Sequence, residues 1–135
     1  MSTLVNYVVA STSLYVLLPL YYCTDIYARI FMINSFIASV CLHLGEINFG
    51  LVGIRPFNKY SSALWVYDRI ASTILIIYLY QISSNFSILF NTPWPYLALI
   101  AGLLTDTNLS KNHYFFMIIH GLSHVFALHS VYILL

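Results

Sequence analysis

Apolar residues run along this chain in five long stretches, broken by short polar clusters. The stretches cover 4–22, 30–49, 63–82, 86–104 and 113–135. Runs of about 20 apolar residues match the hydrocarbon core of a bilayer, so each reads as a membrane helix. Ser, Thr and Tyr interrupt the first stretch, and helices in lipid tolerate these by hydrogen bonding back to their own backbone. Pro19 predicts a kink in its last turn. The connector 23–29 holds Asp25 and Arg29, four apart and able to pair. Gly53, Arg55-Pro56 and Asn58-Lys59 mark a true break over 50–62. The fourth stretch carries Asn91 and the Pro93-Trp-Pro95 triplet. From Trp94 to Leu104 alone it is too short for a ~30 Å core. It therefore crosses with help from residues before the prolines, or it is re-entrant. A polar loop over 105–112, with Asp106 and Lys111, leads into the last helix. The expectation is an all-α integral membrane bundle of about five helices, one transmembrane domain over 1–135, in a multi-pass protein.

Composition agrees. The chain is 61% hydrophobic and 7% charged, with mean hydropathy +0.85, against ~25% charged residues in soluble domains. The net charge of +1 comes with no basic tract and no glycine-rich phosphate loop, which excludes nucleic-acid and nucleotide binding as leading readings. The first stretch lacks a basic leader and a small-residue cleavage site, so it reads as a signal anchor. Arg55, Lys59 and Lys111 share one side, with Arg69 close by, and Arg29 alone faces the other. The positive-inside rule places the N-terminus with the more basic side, in the cytoplasm or an equivalent compartment. Cys23 and Cys41 form no metal motif and read as small buried groups, not a bridge.

Three polar clusters stand out inside the apolar stretches: Ser39 with His43, then Asp68, then His120 with His124. Ionisable groups within a membrane are costly and by default functional. With five crossings all three clusters fall in the same half of the bilayer. His120 and His124 share one helix face and can grip one metal. His43 supplies a third nitrogen, and three histidines with an open position for water are the usual catalytic zinc arrangement. Asp68 then orients a histidine or acts as general base. Ser39, one turn before His43, can bond water or a developing oxyanion. Blander readings exist for each residue. Buried histidines often only pack, and Asp68 with Arg69 can be a helix-start ion pair suited to the dipole. His113 reads as a boundary packing residue. His129 points away from the pair as a further polar contact, and Glu46 is a weaker metal candidate than Asp68. Many of the twelve tyrosines and two tryptophans suit an interfacial belt.

The order Ser-x-x-x-His, Asp, His-x-x-x-His resembles the membrane hydrolase superfamily that joins alkaline ceramidases, the adiponectin/progestin-receptor family and lipase-like proteins of GPI-anchor remodelling. Ser39 and His43 match the first motif, Asp68 the second, and His120 and His124 the last. The stretch from Tyr114 to Leu128 is similar to the last helix of the GPI-remodelling branch, with Ser123 where a bulky aromatic often stands. The resemblance implies zinc on the three histidines, water positioned by Ser39 and Asp68, and hydrolysis of an amide or ester in a membrane lipid. It also implies a seven-helix parent, shortened here by a pair between Asp68 and His120. The spacing from His43 to Asp68 is longer than the family pattern. Such a thinner bundle leaves its cavity open to lipid or completed by a homo-oligomer or a larger membrane complex. A second reading is a heme- or quinone-associated anchor subunit, because Trp65-x-x-x-Arg69 and His120-Gly-x-x-His124 resemble the small anchors of succinate dehydrogenase. A third is an accessory structural subunit without a site.

Overall fold

The computed structural model describes residues 2–106 and 112–135, and the loop position Lys111 lies outside them. The described residues form six α-helices and three short 3-10 turns, with no strand among them. The first apolar stretch is a nearly continuous rod of α1 (Ser2–Thr12), a 3-10 turn (Ser13–Val16) and α2 (Leu17–Tyr22). Pro19 has no N–H and its ring displaces the carbonyl four residues before, so the helix tightens ahead of it. The irregular turn therefore falls over 13–16, earlier than the expected kink.

α3 (Ile26–Gly45) begins four residues before the expected start. Asp25 sits in extended geometry and its carboxylate accepts from the Ala28 amide at 2.7 Å, a helix cap. It also accepts from the Tyr78 hydroxyl at 3.0 Å. Capping and Tyr78 thus replace the expected partnership with Arg29. α3 ends at Gly45, where a Cβ would lie 2.7 Å from the Phe57 carbonyl oxygen. The chain leaves the helix at Glu46, ψ 121°, rather than running on to 49.

α4 (Ser61–Ile82) follows the loop. The fourth stretch differs from a plain helix. It is a 3-10 turn (Phe86–Asn91), an extended residue at Thr92, and then α5 (Trp94–Asp106). Pro95 sits in the first turn of α5, where a missing N–H costs nothing. At 13 residues, or about 20 Å, α5 falls short of the ~30 Å core. α6 (His113–Leu134) starts at Asn112, whose side chain accepts from the Tyr114 amide at 2.9 Å. Among the described residues, four spans are long and apolar enough to cross a membrane: Thr3–Tyr22, Ile26–Gly45, Phe57–Ile82 and His113–Leu134. The fifth expected span is the broken fourth stretch.

α5 runs antiparallel to α6, because Trp94 meets His129 with ring centroids 4.7 Å apart while Thr105 meets His120 at 3.2 Å. The fourth stretch thus returns the chain to the end of the bundle where α6 begins. The helices pack in the order α4, α3, α1, α6, α5. They form an arc, with no comparable interface between α4 and α5. Inside it, Val16, Met32, Leu75 and Leu79 make one buried cluster, and Val5, Val9, Leu51 and Phe116 make another. The outer faces carry large exposed apolar residues such as Tyr21, Ile30, Ile77 and Ile118, a surface that hydrocarbon covers. The chain is a multi-pass integral membrane protein.

Candidate metal centre

His43 lies in the last turn of α3, and His120 and His124 lie one turn apart on α6. The arc brings the three rings into a near-equilateral triangle. The centroids are 4.8 Å apart for His43–His120, 4.7 Å for His43–His124 and 4.8 Å for His120–His124. One ring nitrogen from each lies within 4.8 Å of the others. His43 Nε2 and His124 Nε2 are 3.1 Å apart. Two nitrogens bound tetrahedrally to one ion at ~2.0–2.1 Å stand ~3.3 Å apart. The triad is therefore a cluster able to hold a divalent metal ion.

Hydroxyl groups set the tautomers of the α6 histidines. The Thr12 hydroxyl donates its only proton to the Val9 carbonyl at 2.6 Å. Thr12 Oγ1 can then only accept from His124 Nδ1, 2.9 Å away, which puts the ring proton on Nδ1 and a lone pair on Nε2. Thr105 repeats the device. It donates to the Gly102 carbonyl at 2.7 Å and stands 3.2 Å from His120 Nδ1. Phe116 stacks on the His120 ring at 4.9 Å. Both Nε2 atoms thus present lone pairs, the form in which imidazole binds a metal.

His43 is held through its backbone. The buried Asn6 side chain on α1 donates to the carbonyls of His43 (2.7 Å) and Glu46 (3.0 Å), two acceptors that the helix end leaves over. His43 is only 2% exposed, and its Nδ1 is buried without a hydrogen-bond partner. An unsatisfied buried nitrogen is costly, and because Nε2 is the atom that faces His124, a metal held on Nε2 would leave Nδ1 unpaired.

Ser39 and Asp68 both line a cavity of about 660 Å³ that also reaches the three histidines. Ser39 Oγ is 3.0 Å from Ser13 Oγ, which is in turn 3.4 Å from His124 Nδ1. Ser39 is thus linked to the triad through Ser13. Asp68 comes from α4, half-buried, and lies outside the nitrogen cluster. Its neighbour Arg69 places its guanidinium over the Trp65 ring at 5.3 Å. Glu46 also lines the cavity, its carboxylate accepting from the Asn48 amide and side chain. Burial pushes its carboxyl above the usual range, more than Asn48 lowers it.

The other residues fall elsewhere. His129 bonds the Tyr15 hydroxyl at 2.9 Å and meets Trp94 edge-on. His113 packs on Tyr114. Both cysteines are free. Asn6, Thr12, Ser13 and Thr105 were invisible as site residues, because hydroxyls and amides in apolar helices ordinarily satisfy themselves on their own backbone. Their partners at the triad lie up to 112 positions away.

No family model, curated protein or solved structure matches the chain. The triad and the membrane bundle around it carry the functional reading.

Proposed function

We propose that the protein is a zinc-dependent intramembrane hydrolase of lipid amide or ester bonds. The observation that carries this reading is the convergence of His43, His120 and His124 on a cavity whose wall also bears Ser39 and Asp68. The donor set favours zinc: three neutral imidazoles, with no thiolate to favour softer ions and no cage of oxygens. When bound, zinc supplies Lewis acidity and lowers the pKa of water. Asp68 takes the proton from the attacking water and passes it to the leaving amine or alcohol as the carbonyl–heteroatom bond breaks. Ser39 donates to the carbonyl oxygen as it gains charge. Thr12 and Thr105 keep the α6 imidazoles in the metal-binding tautomer. The order of Ser39, His43, Asp68, His120 and His124 along the chain matches the hydrolase superfamily described above and supports the same reaction.

A heme anchor fits less well. Axial imidazoles stand on opposite faces of a porphyrin, whereas the His43 and His124 rings touch side by side at 3.1 Å and leave no room for a macrocycle between them.

Metal analysis and an optical spectrum of the detergent-purified protein test the proposal, followed by assay on a panel of lipid amides and esters. The expected result is one zinc per chain, no Soret band, and hydrolysis of at least one lipid class. The double variant His120→Ala/His124→Ala should lose stoichiometric zinc. Asp68→Asn should keep zinc and lose turnover by ~10²-fold or more. Unchanged zinc in the double variant, or a Soret band in the parent, would sink the proposal.

A further inference from the structure

The two helices that carry the triad do not sit side by side. α3 and α6 each pack on α1, which stands between them in the arc. Asn6 and Thr12 on α1 hold His43 and His124. A second connection comes from the chain that leaves α3.

That chain turns sharply over Asn48–Leu51, where the Leu51 amide donates to the Asn48 carbonyl at 3.0 Å. Both central residues have positive φ, 59° at Phe49 and 76° at Gly50, the sign pattern of a type I′ turn. Glycine adopts that conformation freely. Phenylalanine does not: a bulky residue there is an outlier, and asparagine, aspartate or glycine is the usual occupant. Among the described residues, Phe49 alone of the non-glycines has a positive φ. Strain of this kind persists where the surrounding structure imposes it.

What imposes it is a stack of three rings. Phe49 lies on Phe116 with centroids 4.4 Å apart and planes 16° from parallel, and Phe116 lies on His120 at 4.9 Å and 19°. The turn is tied to the end of α3 on both sides. Asn48 donates to the Glu46 carboxylate from its amide at 3.2 Å and its side chain at 2.6 Å, and the Ile54 amide donates to the Leu44 carbonyl at 2.7 Å. Leu51 is buried with Val5, Val9 and Phe116. A packed path therefore runs from the end of α3, where His43 sits, through Phe49 and Phe116 to the His120 ring.

We infer that Phe49 is a positioning residue of the metal centre: it clamps Phe116 from the α3 end and so fixes the plane of the His120 ring and its spacing from His43. Thr105 bonds one nitrogen of that ring, and the stack sets the plane in which the other nitrogen's lone pair lies. Faces in near-parallel contact resist tilting in a way that a merely bulky neighbour does not. The left-handed phenylalanine has its reason in that contact, since its own backbone preference opposes the turn. The inference rests on the metal reading of the triad and not on hydrolysis.

Zinc affinity by chelator competition, and the visible spectrum of the cobalt-substituted protein, test this in detergent with three variants. Phe49→Leu keeps apolar bulk without a flat ring, Phe49→Tyr keeps the ring, and Phe49→Gly frees the turn of strain. Leucine should lower zinc affinity by about tenfold, the lower end of what groups behind a metal ligand contribute, and should shift the cobalt d–d bands. Tyrosine should retain both parental values. Glycine should lose at least as much affinity as leucine while the metal-free protein keeps its helical content. If the glycine variant does not fold, the leucine and tyrosine variants decide. Affinity within twofold of the parent and an unchanged cobalt spectrum in Phe49→Leu would show a packing role alone and overturn the inference. So would equal losses with leucine and tyrosine, because the ring contact would then not be the cause. A parent that takes up neither zinc nor cobalt would remove the metal reading and this inference together.

Discussion

Thr12→Val is the sharpest probe of the metal centre, because it alters one atom that touches no metal. Valine keeps the branched shape, including the methyl packed against Gly121, where an added Cβ would lie 3.1 Å from Thr12 Cγ2. It replaces the oxygen 2.9 Å from His124 Nδ1 with a methyl group. The Nδ1–H then has no acceptor, at a cost of ~1–3 kcal/mol for a buried donor. The ring can avoid that cost by moving its proton to Nε2, which removes the lone pair a metal needs. Partners of this kind are worth ~10–100-fold in metal affinity. Ser13 Oγ, 3.4 Å from the same nitrogen, can take over part of the role. The single variant should therefore sit near the tenfold end, and Thr12→Val/Ser13→Ala near the hundredfold end. Thr12→Ser should retain parental affinity. Competition with a chelator of known zinc affinity reads all three. A Thr12→Val affinity within twofold of the parent, with the double variant also unchanged, would refute the tautomer argument.

Asn6→Ala removes the side chain that joins α1 to the carbonyls of His43 and Glu46. It should cost ~1–3 kcal/mol of stability, measured by thermal unfolding in detergent, and should weaken zinc as His43 loses its tether. Glu46→Gln tests burial of a carboxyl outside the proposed reaction. Because folding raises the Glu46 pKa, the native state holds its proton to higher pH than the unfolded chain does. Stability falls as pH rises from the unfolded value through the folded one. Glutamine removes that loss, so the variant should melt higher than the parent at pH 7.5. The difference should close below about pH 4, the unfolded carboxyl range. A gap independent of pH would show that the carboxylate is not the cause.

The periodic apolar stretches of the first, second, third and fifth segments were legible because a membrane helix needs only length and composition. Their ends were less so. α3 starts and stops early for local reasons, the Asp25 cap and the crowding of Gly45 by Phe57, and hydropathy carries neither. The broken fourth stretch was announced by Pro93 and Pro95, but its antiparallel course along α6 depends on packing. At the site, the histidines could be read from costly polar atoms in apolar helices and from the four-residue spacing of His120 and His124. The hydroxyls that hold them could not. Thr12 and Thr105 make self-bonds to Val9 and Gly102 like any threonine in a helix, and only the fold reveals the second bond.

The Thr12–His124 contact joins the first and last membrane segments, 112 positions apart. During synthesis α1 enters the bilayer long before α6 exists, and the bonding partners of Thr12 and Ser13 on α6 are missing until the final helix arrives. The α1–α6 contact at the middle of the arc therefore cannot form before the last helix is made. The histidine triad likewise closes only when the last helix is in place. A chain that stops before α6 carries His43 alone of the triad, and one that inserts α6 in the opposite direction does not bring His120 and His124 to it.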